Sequence, residues 1–158
     1  MKAVPVVTIK KELKELSNEE LTELCLRLSK FKKENKELLT YLLFESHNED
    51  DYIQSIKNFV DEQFEIINRD SYFYIKKSVR KILRLIKKFA RYSLKKETEV
   101  ELLLYFCQKL KEFSPSIKNN VTLTNIFERQ LLLVKKIIST LHEDLQYDYN
   151  LVIDELND

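Results

Sequence analysis

The residues of this chain best suited to chemistry are cationic. Between Ser71 and Lys96 stand ten Lys or Arg and no Asp or Glu. At 100° per position, a helix here gathers Lys77, Arg80, Lys81, Arg84, Lys88 and Arg91 on one face, with Lys76 and Lys87 at its edge. Tyr72, Ile75, Val79, Ile82, Leu83, Ile86 and Phe89 fall on the opposite face. The result is a cationic stripe about 140° wide and about 22 Å long at the α-helical rise. Its chemistry is anion binding, with nucleic-acid phosphates, an acidic protein surface or anionic lipid headgroups as ligands.

The stripe has an energetic cost. Lys77/Lys81, Arg80/Arg84, Arg84/Lys88 and Lys87/Arg91 are like-charge pairs four residues apart, each destabilising a helix by roughly 0.2–0.5 kcal/mol. Two kinds of counter-charge are available. One is an external anion. The other is the chain itself, whose net charge is only +1: residues 48–70 hold seven acids and two bases, and residues 128–158 hold seven acids and three bases. Asp50, Asp61 and Glu65, however, lie opposite the apolar face of their own segment. Two helices packed by apolar faces point such groups apart, so the acidic C-terminal segment or a second chain is the better internal cover. Tyr72, Phe73, Tyr74 and Tyr92 supply rings that could stack on bases. Against nucleic acid stand the apolar-face position of Tyr72 and a pI of about 7.7, below the value above about 9 typical of a dedicated binding domain.

Other chemistries are excluded or unsupported. The chain has no glycine, where average usage of about 7% gives roughly 11 in this length. That removes the P-loop, the dinucleotide-binding turn and the nucleophile elbow, which need glycine for positive φ or close backbone approach. His47 adjoins Asn48-Glu49-Asp50-Asp51, a pattern that helix capping explains. His142 heads His-Glu-Asp near the end of a long apolar-periodic segment and reads as a tucked histidine. Cys25 and Cys107 are far apart among leucines and read as two buried free thiols of a reducing cytosol. No catalytic, cofactor or metal residue is assigned, and a non-enzymatic protein is expected. The longest apolar run, 102–107, is too short for a membrane span, and the N-terminus carries no secretory h-region. A cytoplasmic protein follows.

The elements that position the stripe are helices. Residues 1–7 read as an extended arm, because Pro5 disfavours helix before it. Thr8 caps a helix with Ile9, Leu13 and Leu16. Ser17-Asn18-Glu19-Glu20 is a capping box opening a second, with Leu21, Leu24, Cys25, Leu28 and Phe31 on one face. Lys32–Lys36 is either a surface turn or a break capped by Asn35, and Leu38, Leu39, Leu42 and Leu43 continue to about Glu45. Asn48 caps a helix carrying Tyr52, Ile53, Ile56, Phe59, Val60, Phe64 and Ile67. The basic helix starts at Asp70 or Ser71 and runs to about Tyr92. Val100, Leu103, Leu104, Cys107 and Leu110 mark the next, stopped by Ser114-Pro115-Ser116. Thr122 or Thr124 caps a long helix from Phe127 to Leu145, with a final short one around 151–156.

This pattern predicts an all-α fold: one domain over 1–158, a compact antiparallel bundle of six to eight amphipathic helices. A short HEAT- or armadillo-like stack of helical hairpins is the alternative. The segment TIKKELKELSNEELTELCLRL resembles the SAP-type DNA-binding motif over about twenty residues, departing from it in the short Ser17-Asn18 link without glycine. Over IKKELKELSNEELTELCLRLSKFKKENKELLTYLLFE and LHEDLQYDYN the chain resembles uncharacterised all-helical bacterial proteins, a resemblance that implies no activity. The function expected is that of an interaction module whose basic helix engages an acidic protein or nucleic acid. The alternative is a structural or self-associating protein, such as a homodimer, with the stripe solvated or covered by its own acidic segments.

Overall fold

The computed structural model describes residues 1–157. Its described residues form helices and no strand: α1 (Val6–Lys14), α2 (Asn18–Phe31), α3 (Lys33–Thr40), α4 (Glu49–Glu65), α5 (Tyr72–Ser93), α6 (Lys96–Lys111), α7 (Val121–Ile138) and α8 (Glu143–Asn157). The all-α expectation holds. The chain divides into two compact units, Met1–Phe44 and Glu45–Asp158.

The larger unit is a bundle around α6. That helix touches α4, α5, α7 and α8, which a stack contacting only sequential neighbours does not do. Side-chain bonds fix the directions. Lys57 meets Glu101, and Asp61 meets Tyr105 and Lys109, so α4 and α6 run parallel. Glu49 at the start of α4 meets Ser93 at the end of α5, so those two are antiparallel. Lys96 reaches Thr140 just beyond α7, which makes α6 and α7 antiparallel. Phe106, Leu102, Leu103, Cys107 and Leu110 of α6 are almost wholly buried, because this helix has neighbours around most of its circumference. Phe64 stacks 6.0 Å from Phe106 and 6.0 Å from Phe113.

Polar clasps hold the helices in register. The Glu49 carboxylate accepts from Ser93 and from the buried Thr98 hydroxyl (2.6 Å), and pairs with Lys95 at 3.2 Å. Burial pushes against ionisation of Asp61, but hydrogen bonds from Tyr105 (2.7 Å) and Lys109 (2.9 Å) outweigh it and hold its pKa below the usual carboxylate value. Burial, then the same carboxylate, pushes the Tyr105 phenol up to about 12.

The smaller unit is α1 to α3, with α2 packed against α3. Its Ser17–Glu20 capping box forms as expected. None of its three helices buries a residue. Tyr41, in the π-helical turn Tyr41–Glu45 that follows, is buried.

Several boundaries differ from the sequence reading. Helix α1 begins at Val6 rather than after a seven-residue arm, because the Pro5 carbonyl already accepts from Thr8 and Ile9. Proline's fixed φ suits a helix start. The break near residue 32 falls at extended Lys32, and Asn35 instead donates to the Leu28 carbonyl, satisfying the end of α2. Asn120, not Thr122 or Thr124, caps α7 by accepting from the Leu123 amide. The long C-terminal helix breaks at 139–142, where Ser139 and Thr140 hydroxyls bond the last carbonyls of α7.

The missing glycine leaves one visible mark. Leu94 ends α5 in the left-handed region, φ 59°, a place that glycine usually takes. A side chain there costs roughly 1–2 kcal/mol, and Leu94 is exposed and recovers little by burial. Leu94→Gly is therefore expected to raise stability by about 1 kcal/mol, read as a higher urea midpoint with unchanged slope.

Candidate anion-binding surface

Helix α5 separates as its periodicity requires. Ile75, Val79, Ile82, Ile86 and Ala90 are buried, while Lys77, Arg80, Lys81, Arg84 and Arg91 are exposed. Lys76, Lys87 and Lys88 are partly exposed. Lys76, Lys77, Arg80, Lys81 and Arg84 line one open surface hollow of about 750 Å³. Arg80, Arg84, Lys87 and Arg91 line a second, which also holds Glu99 and Leu133. Arg80 and Arg84 belong to both, so seven of the eight candidate residues form one continuous surface. Lys88 lies apart from it, with its ammonium 5.1 Å from the Phe89 ring.

Glu99 borders the second hollow; the acids of α4 and α8 are turned elsewhere. Asp61 does not point away from the bundle; it is half-buried against Tyr105 and Lys109, and so is unavailable to α5. Glu49 is held at the far end of α5 by Ser93, Lys95 and Thr98. Helix α8, acidic as it is, packs on α6 and α7. Among the described residues, no carboxylate forms an ion pair with Lys76, Lys77, Arg80, Lys81, Arg84, Lys87 or Arg91.

The four aromatic candidates divide. Tyr72 bonds the Ser116 carbonyl at 2.9 Å and helps seat α5 on the bundle. The Tyr92 ring lies edge-on to Phe89, at 6.2 Å. Phe73 and Tyr74 are exposed, meet edge to face at 5.4 Å, and line the first hollow with Lys76, Lys77, Arg80 and Lys81. The same 100° projection that defines the stripe puts Phe73 among the basic residues, seven positions before Arg80.

The remaining candidates settle into structural places. His47 is exposed before α4. His142 is not tucked on α7: it is exposed ahead of α8, its Nδ1 accepting from the Asp144 amide at 3.3 Å, so it acts as a cap. Cys107 is buried, and burial pushes its thiol up to about 12. Cys25 is exposed, contrary to the expectation of two buried thiols, because the apolar face of α2 is left uncovered. No described helix is long and apolar enough to cross a membrane.

No protein-family model matches the chain, no curated protein is similar to it, and no solved structure matches its fold.

Proposed function

We propose that this protein works by binding rather than catalysis, and that α5 engages a phosphate-bearing polymer, single-stranded nucleic acid being favoured. The observation that carries this reading is the continuous cationic surface from Lys76 to Arg91, bordered by Glu99 but in no described ion pair, beside the exposed Phe73–Tyr74 pair. A backbone-tracking basic groove with rings for base stacking is how proteins hold single strands without reading sequence. An acidic protein surface would use the same cations but would have less use for the rings. With two unpaired cysteines, we assign the work to a reducing compartment, the cytoplasm.

The test is a fluorescence-anisotropy titration of oligo-deoxythymidine and of polyglutamate across a salt series. Nucleic-acid engagement predicts tight binding at low salt and a log–log slope of about −0.7 per phosphate neutralised. Absence of oligonucleotide binding at low salt would overturn the proposal. Stronger binding to polyglutamate than to the oligonucleotide would redirect it to an acidic protein.

A further inference from the structure

One acid stands on the cationic surface. Among the described residues that line its two hollows, only Glu99 carries a carboxylate. It shares the second hollow, of about 480 Å³, with Arg80, Arg84, Lys87 and Arg91, and with Leu83 and Leu133. Glu99 is half-buried there, yet its carboxylate is in no described ion pair or hydrogen bond.

The start of α6 does not account for it. A carboxylate in the first turn suits the helix dipole, but Glu97 already fills that role from an exposed position. Glu97 and Glu101 lie about 40° apart around the helix. After burial, Glu101 and Glu97 are what push up the pKa of the Tyr149 phenol on α8. Glu99 falls about 160° from each of them, on the side that borders the stripe. For phosphate binding alone an acid at that place is a handicap, because it repels the polymer.

A carboxylate only accepts hydrogen bonds, so the group that suits it is a donor. Single strands offer donors on the Watson–Crick edges of their unstacked bases. Thymine has one ring N–H there, and adenine and cytosine have one amino group each. Guanine sets a ring N–H and an amino group side by side. Those two parallel donors match the two oxygens of one carboxylate as a bidentate pair.

We propose that Glu99 makes the second hollow a guanine subsite, so that the protein favours single strands containing guanine. Leu83 and Leu133 supply apolar surface for the base. Arg80 and Arg84, which line both hollows, hold phosphates between this base and another on Phe73 and Tyr74. The inference rests on the single-strand reading of α5 and adds to it a base preference.

The experiment is fluorescence anisotropy at low salt with oligo-deoxythymidines carrying one central guanine, adenine, cytosine or hypoxanthine, beside the unsubstituted strand. Hypoxanthine keeps the ring N–H of guanine and lacks its amino group. The guanine strand is expected to bind about fivefold tighter than the others or more, from the lower end of what one bidentate base contact supplies. Glu99→Gln replaces one acceptor by a donor and removes the negative charge. It is expected to erase the preference while tightening binding of the unsubstituted strand, opposite movements that loss of a merely structural contact would not produce. Glu97→Gln is expected to keep the preference. Equal binding of all the strands, a hypoxanthine strand that binds like the guanine strand, or a preference that survives in Glu99→Gln would each overturn the inference and leave the single-strand reading standing. Failure of every strand to bind would overturn that reading, and the guanine subsite with it.

Discussion

Replacing Lys77, Arg80, Lys81 and Arg84 together by glutamine should weaken oligonucleotide binding at least tenfold at low salt and flatten its salt dependence. Each phosphate contact on a single strand contributes about 0.7 to the log–log slope, so losing four should lower the slope by roughly three. The fold should survive. Three of these side chains are exposed and project from the solvated face of α5, and Lys77 is exposed with them. The substitution also removes the Lys77/Lys81 and Arg80/Arg84 repulsions, worth roughly 0.2–0.5 kcal/mol each. A variant that melts no lower but binds less is the expected outcome, measured by circular dichroism and anisotropy on the same preparation. Phe73→Ala should act differently. Loss of one stacking platform costs about 1–3 kcal/mol and should leave the salt slope unchanged. If the charge variant binds as tightly as the parent, α5 is not the contact surface.

The largest stability effect belongs to α6. Phe106 is fully buried at the centre of the larger unit, against Phe64. Phe106→Ala removes its burial and leaves a cavity that the surrounding helices close only in part, at a cost of about 3–5 kcal/mol. For a domain of this size that lowers the melting temperature on the order of 10 °C. Leu132 on α7 is 67% exposed, and Leu132→Ala should stay within about 0.5 kcal/mol. Urea unfolding of both variants checks the contrast. Similar losses at the two positions would mean that α6 is not the hub of the bundle.

The two expectations differ in how much of each the sequence carried. The stripe was legible because a helix of known period turns residue spacing directly into a face. The eight bases of α5, with no acid among them, therefore had to become a surface once the helix formed. The helices were legible for the same reason, aided by the Ser17 and Asn48 caps, which form where their spacing puts them. The hub was not legible. The periodicity of α6 marks Val100, Leu103, Cys107 and Leu110, but not Leu102 and Phe106, which are buried too. Only the number of neighbours around a helix decides whether its second face is also covered.

The same limit explains the histidine and the cysteine. His142 sat within an apolar-periodic stretch, but Ser139 and Thr140 ended α7 by bonding its final carbonyls, and His142 became a cap for α8. Cys25 lies among leucines, as buried cysteines do, yet nothing in a one-dimensional pattern says whether a second surface arrives to cover it.

By itself, then, the sequence determined local matters: helices throughout, no glycine-built phosphate loop and a cationic face on α5. These follow from nearest-neighbour geometry, which the order of residues specifies. Tertiary structure decided what each face meets. It turned Asp61 and Glu49 onto α6 and the end of α5 rather than onto the stripe. It left Phe73 and Tyr74 in solvent while Tyr72 was used for packing, and it left the apolar face of α2 uncovered. Pairing of distant surfaces depends on shape and competition among all the faces at once, and no window along the chain contains that information.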